Sequence, residues 1–162
     1  MGDMEKQPHI LISRKESAEY AIIPGDPKRV KRIAGYLDDV RELAFNREYY
    51  SIRGKYKGVP VIALSTGIGG PSAAIAIEEM RAIGVRTILR IGSCGALQSG
   101  MSVGDLIIST GSVRDDGTTS TYVDKGYPAV PDLETTGILQ QVCGKMGFRY
   151  HSGITRSHDS YY

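Results

Sequence analysis

An α/β fold is predicted for this chain, on three observations. Short apolar runs over residues 20–23, 59–65 and 87–91 each lead into a glycine-containing turn. Helical or hairpin segments separate these runs, the alternation that marks strands and helices interleaved along one chain. With 162 residues, 41% of them hydrophobic, the chain is also long enough to bury a core of its own as one domain.

The elements follow in chain order. Residues 20–23 form the first strand, and a helix begins at Asp26 as N-cap with Pro27 in its first position, carrying Val30, Ile33, Ala34 and Leu37 on one face. Residues 49–53 and 55–57 flank Gly54 and suggest a short hairpin. The strand over 59–65 feeds a helix over 71–83 that Gly84 stops. After the strand at 87–91, the consecutive apolar residues Leu106, Ile107 and Ile108 mark another over 105–113. Residues 114–125 are polar and read as a loop. A third helix is expected over 133–146, with Ile138, Leu139 and Val142 as its apolar face, then a strand over 149–154. Beyond Ile154 the chain runs through Thr155 to Tyr162 with nothing to close the last strand, so it reads as interrupted.

Composition excludes several function classes. The formal net charge is +2, from 20 basic and 18 acidic residues spread along the chain, so no block resembles a nucleic-acid arm or a membrane patch. The polar N-terminus does not read as a signal peptide, and no run is long enough to span a bilayer. Cys94 and Cys143 stand far apart with no histidines clustered round them, against a disulfide framework or a zinc site. A reducing cytoplasm fits this usage.

Three motifs carry chemistry. In Pro24-Gly25-Asp26-Pro27-Lys28-Arg29 a tight turn joins a strand to a helix, where backbone N–H groups and the positive helix end attract an anion. Lys28 and Arg29 oppose the helix dipole, each costing about 0.3–1 kcal/mol unless an anion offsets them. An ordinary turn with solvated basic side chains would read the same way. The glycine-rich Ser65-Thr66-Gly67-Ile68-Gly69-Gly70-Pro71-Ser72 lets a ligand approach the backbone. It fits a dinucleotide fingerprint poorly, because Ser72 takes the third glycine's place and the next strand ends in Arg90 instead of an acid. Glycines that only permit close helix–strand packing remain the other reading. In Leu89-Arg90-Ile91-Gly92-Ser93-Cys94-Gly95-Ala96 an arginine sits inside an apolar run. A buried guanidinium needs a partner. At a strand's carboxyl end Arg90, with the Ser93 hydroxyl, would form an oxyanion site, the guanidinium gripping two oxygens. The alternative is a buried arginine–carboxylate pair.

Taken in order, Pro24-Gly25-Asp26-Pro27-x-Arg29, Asn46-Arg47-Glu48-Tyr49, the segment from Ser65 to Ser72, Arg90-Ile91-Gly92-Ser93-Cys94-Gly95 and Ser157-x-Asp159-x-Tyr161-Tyr162 resemble the trimeric/hexameric nucleoside phosphorylases, and Pro128-Ala129-Val130 adds a sixth motif. The resemblance implies a mixed central β-sheet flanked by helices (phosphorylase/hydrolase-like), with residues 1–162 as a single, C-terminally incomplete domain. It implies phosphate binding through Gly25, Arg29, Arg47, Arg90 and Ser93, with Arg90 also the catalytic residue. It places His9 on the ribose 5′-hydroxyl and Tyr161 against the base. His9 and Arg47 would reach the neighbouring subunit's site, in a homodimer that builds into a hexamer. Inorganic phosphate is a co-substrate, and no cofactor is implied beyond a monovalent cation, K+, at Glu48, Ile68 and Ser72.

The reaction implied is phosphorolysis. A phosphate oxygen attacks the anomeric carbon as the bond to the base breaks, giving free base and ribose 1-phosphate. Residues 65–79 and 113–117 resemble the uridine-specific branch, and Gly92-Ser93-Cys94-Gly95 with Pro8-His9-Ile10 the purine branch; uridine is the expected substrate and a purine nucleoside the alternative. A non-catalytic fragment that binds phosphate or forms assemblies is the competing reading from another class.

Overall fold

The computed structural model describes residues 5–160 and 162. The chain divides into two compact units, Met1–Ser93 and Cys94–Tyr162.

The first unit is built on five strands: β1 (Tyr20–Pro24), β2 (Asp38–Asn46), β3 (Tyr49–Tyr56), β4 (Val59–Leu64) and β5 (Thr87–Ile91). They form one sheet in the order β2-β3-β4-β1-β5. β1 runs parallel to both β4 and β5, while β3 is antiparallel to β2 and β4, so the sheet is mixed as predicted. Helix α1 (Pro27–Ala34) follows β1 and helix α2 (Gly70–Ala82) follows β4.

The apolar run of β4 is continuous because this strand serves two cores. Along β4, Ile62 and Leu64 join Ala21, Ile23 and Tyr49 under Ala76, Met80 and Ile83 of the α2 segment, with Ile10 and Ile12 of the N-terminal segment closing the cluster. The residue between them, Ala63, turns the other way and packs with Tyr50, Ile52 and Val30 of α1. Ile33, Ala34 and Leu37 lie against this second cluster, so the expected α1 face holds even though the helix stops before Leu37.

α1 starts where the sequence predicts. The Asp26 carboxylate accepts the Lys28 N–H at 2.8 Å and Pro27 occupies the first turn. We expect Asp26→Ala to lower stability by about 0.5–2 kcal/mol, read as a shift in the denaturant midpoint at constant slope. No shift would mean that the cap is dispensable.

One expectation is corrected, and one strand appears that the sequence did not announce. Gly54 is no hairpin turn: β3 runs straight through it, because a Cβ there would lie 2.8 Å from Leu37 Cβ and the glycine buys that close approach. The turn falls at Lys57 and Gly58, with φ of 48° and 83°, both left-handed, as a two-residue hairpin requires. β2 carries no periodic signal, since it is an edge strand, mostly exposed, with register shifts between Asp38 and Arg41 and between Glu42 and Ala44.

The second unit is a βαβ arrangement. β6 (Leu106–Asp115) and β7 (Tyr150–His158) pair in parallel, with α3 (Leu133–Lys145) between them in sequence. The loop expected from residue 114 begins later, because Arg114 and Asp115 still pair with Ser157 and His158 of β7, and a short 3-10 turn spans Thr119–Thr121. On α3, Ile138 and Val142 are exposed while Thr136 and Cys143 are buried. Two strands offer too narrow a surface within this unit to cover the whole predicted stripe. No helix among the described residues is long and apolar enough to cross a membrane.

Candidate functional site

Parallel strands β1, β4 and β5 end on the same side of the sheet, at Pro24, Leu64 and Ile91. The turns that follow carry the first and second predicted motifs and the end of the third. Backbone pairing continues past the strands: Thr66 N–H donates to the Pro24 carbonyl at 3.0 Å and Gly67 N–H to the Gly25 carbonyl at 2.9 Å. The fit leaves no room for a side chain, since a Cβ on Gly25 would stand 2.9 Å from the Gly67 carbonyl oxygen. Gly67 itself has φ of 67°, in the left-handed region.

On the other flank of the Gly25 turn, Ile23 pairs with Arg90 and Pro24 with Ile91. At a strand spacing of about 4.8 Å, the Gly25–Arg29 turn and the Arg90–Ser93 segment are neighbours. Arg29 is half-buried in the first turn of α1. The structure therefore brings Gly25, Arg29, Arg90 and Ser93 to one end of the sheet, the crevice where open α/β sheets take ligands.

The burial expected of Arg90 is not found. Its side chain is exposed, and among the described residues no carboxylate pairs with it. β5 is the outer strand of its sheet, exposed at its last residues, so an apolar run there does not enclose its arginine. The guanidinium lies back over Gly92, in the space a Cβ would need. Among the described residues, then, no internal arginine–carboxylate pair accounts for this residue. At the start of α1 the expected Asp26 cap takes the Lys28 N–H, so that donor is not free for an anion.

Arg47 lies apart from this group. It sits with Glu48 in the hairpin between β2 and β3, exposed and with φ of 54°, on the far side of β4 from Gly25. His9 is on the same flank, because the Asn46 side-chain amide donates to the His9 carbonyl at 2.8 Å. The histidine is not the free N-terminal side chain its sequence position suggests. Its ring and backbone N–H groups meet Glu79 of α2, which the sequence marks only as the last residue of the uridine-like segment 65–79 and not as a site residue.

Glu48, Ile68 and Ser72 come together round the β4–α2 turn. The Ser72 hydroxyl donates to the Thr66 carbonyl at 2.7 Å and lies 3.2 Å from the Ile68 carbonyl. Glu48 Cβ and Cγ stand 2.9 Å from where a Gly67 Cβ would be. Ser65, fully buried, ties this turn to the hairpin by donating to the Glu48 carbonyl at 2.6 Å and accepting the Tyr50 N–H at 2.9 Å. Beside it, burial and then the Glu48 and Glu79 carboxylates push the Tyr49 hydroxyl up to about 12. It stays protonated and donates to the Ser72 carbonyl at 2.9 Å. A carboxylate, a carbonyl and a hydroxyl are oxygen donors of the kind a hard cation takes. Tyr161 lies outside the described residues.

Residues 19–162 match the phosphorylase superfamily. The chain is 53% identical to the uridine phosphorylase of Thermococcus kodakarensis over 156 residues, covering 96% of this chain and 56% of that protein. It is 46% identical over 159 residues to the guanosine phosphorylase of Halorubrum lacusprofundi, covering 98% and 66% respectively. Among solved structures, the uridine phosphorylase of Vibrio fischeri matches with a TM-score of 0.96 at 40% identity, over 100% of this chain and 68% of that one. The chain thus spans between about half and two thirds of the length of the curated relatives it matches.

Proposed function

The chain belongs to the phosphorylase superfamily, and from that premise we propose that its protein cleaves a nucleoside, uridine in the first place, with inorganic phosphate as the attacking group. One observation carries the reading: Arg90 presents a guanidinium with no carboxylate partner among the described residues at the carboxyl end of β5, next to the Gly25 turn. A planar fork of donors that no carboxylate of the described residues occupies suits a phosphate dianion, which it can grip through two oxygens.

The chemistry follows from charge placement. Arg90 and Arg29, with the Ser93 hydroxyl and the Gly25 turn, hold phosphate below the sugar. As the bond to the base weakens, positive charge grows on the anomeric carbon and ring oxygen, and the fixed dianion stabilises it. One phosphate oxygen then forms the new bond to the anomeric carbon, and the electron pair of the broken bond leaves with the base. Position and electrostatics do this work without a covalent nucleophile from the protein. Arg47 and His9, on the opposite flank, are proposed to serve the site of a second copy, Arg47 towards its phosphate and His9 towards its ribose 5′-hydroxyl, in a homodimer that builds into a hexamer. Glu48, Ile68 and Ser72 would hold a potassium ion there, whose contribution is to offset the Glu48 charge.

Uridine is preferred because uridine phosphorylases are among the relatives and solved structures to which the chain is similar. The guanosine phosphorylase similarity supports a purine nucleoside as the second reading. The test is chromatographic: the purified protein with uridine, inosine or guanosine, each with and without phosphate. Uracil and ribose 1-phosphate formed only with phosphate are expected. Purine base released under the same condition moves the specificity to the second reading, and base released without phosphate sinks phosphorolysis altogether.

A further inference from the structure

His9 is held more firmly than a residue so near the N-terminus needs to be. Its carbonyl accepts the Asn46 amide at 2.8 Å. Its backbone N–H lies 3.2 and 3.1 Å from the two Glu79 carboxylate oxygens, and the next N–H, of Ile10, donates to Glu79 Oε2 at 2.8 Å. The ring closes the arrangement, with Nδ1 at 2.5 Å from Glu79 Oε1. Ile10 is fully buried immediately after it, which fixes the segment against α2.

Glu79 is itself unusual. It stands one helical turn from Ile75 on one side and Ile83 on the other, on the face of α2 that packs into the core, and its side chain is only 11% exposed. A carboxylate in such a place needs donors, and three N–H groups converge on it. Carboxylate oxygens only accept, so the ring nitrogen facing them has to donate. His9 thereby carries a proton on Nδ1. Its other nitrogen, Nε2, has no partner among the described residues, while 41% of the side chain is open to solvent. In the neutral ring that nitrogen is an acceptor, aimed by a hydrogen bond on the opposite side of the ring.

We propose that Glu79 is a positioning residue which fixes His9 in the Nδ1–H form, so that Nε2 accepts a hydrogen bond from the 5′-hydroxyl of the nucleoside's sugar. The second half of this statement rests on the function proposed above; the first half does not. Without Glu79 the ring could rotate or carry its proton on Nε2, and would then face the hydroxyl with the wrong group or none.

The experiment has two arms on the intact protein. Long-range 15N–1H spectra, with His9 assigned by its loss in His9→Gln, report the tautomer directly. The expected wild-type result is a proton on Nδ1 and none on Nε2, and Glu79→Gln, which has a single acceptor oxygen, should shift the ring towards the Nε2–H form. The kinetic arm compares uridine with 5′-deoxyuridine. Glu79→Gln should lower kcat/KM for uridine about tenfold, mostly through KM, and leave 5′-deoxyuridine unchanged, as expected for one lost hydrogen bond. An Nε2–H ring in the wild type overturns the proposal, as does an equal loss on both substrates, which a merely structural carboxylate would give. If the wild type cleaves neither nucleoside, the proposed function has failed, and the spectra alone decide whether Glu79 holds the ring.

Discussion

Replacing Arg90 by alanine is expected to reduce phosphate-dependent cleavage by about 10³-fold in kcat/KM, because preorganised charge aimed at a reacting oxyanion is worth that much where it acts on the transition state. The structure makes this an unusually clean variant. Arg90 is exposed and pairs with no carboxylate of the described residues, so its removal strands no buried partner and opens no cavity. Folding stability should stay within about 0.5 kcal/mol of the parent, as for ordinary surface positions. Lysine at the same position retains the charge but not the two-pronged grip, and should fall between the two. Steady-state rates against phosphate concentration, with a thermal melt of each variant, check all three statements. Near-normal turnover in Arg90→Ala would remove this residue from the mechanism, and with it the observation on which the functional reading chiefly stands.

How Arg90 was read illustrates what the sequence can and cannot carry. A charged residue inside an apolar run marks the position, and the turn after the strand marks the end of the sheet at which it lies. Whether the side chain is enclosed depends on which strands stand beside β5. That is a matter of pairing between segments distant in sequence, and here β5 has β1 on one side only. The same distinction separates the other outcomes. The start of α1 was legible to the residue because its cap and first-turn proline are local. β2 was not, since an edge strand with two register shifts has no alternation to betray it. Arg29 and Ser93 could be grouped from their turns, but the placing of Arg47 with His9 on the opposite flank needed the Asn46 contact. Glu79 did leave a trace in the sequence: a carboxylate four residues from Ile75 and four from Ile83 sits on the stripe of a helix that should be apolar. Its partners lie at the other end of a 70-residue separation, beyond what periodicity can supply.

The meeting of the Gly25 and Gly67 turns is the contact on which the proposed phosphate cradle depends, and Gly25→Ala tests it. The added methyl carbon would stand 2.9 Å from the Gly67 carbonyl oxygen. That oxygen belongs to backbone tied down by the Gly67 N–H to Gly25 bond at 2.9 Å and the Thr66 N–H to Pro24 bond at 3.0 Å, so no side chain can swing aside. The two turns have to part, at a cost of about 1–3 kcal/mol in stability, as for other overpacked sites. A displacement of an ångström in the groups that hold phosphate should lower kcat/KM for phosphate by about 10²-fold. A loss of stability alone could blur this result, and Gly58→Ala supplies the control. Gly58 has φ of 83° and nothing within 4 Å of its would-be Cβ, in the β3–β4 turn at the opposite end of the sheet. Alanine there is strained by about 1–2 kcal/mol through its backbone alone. Comparable melting temperatures for the two variants, with the phosphate dependence damaged only in Gly25→Ala, would tie the cradle to the site. Equal kinetics in both would mean that the turns may part without consequence, and that phosphate, if it binds at all, is held elsewhere.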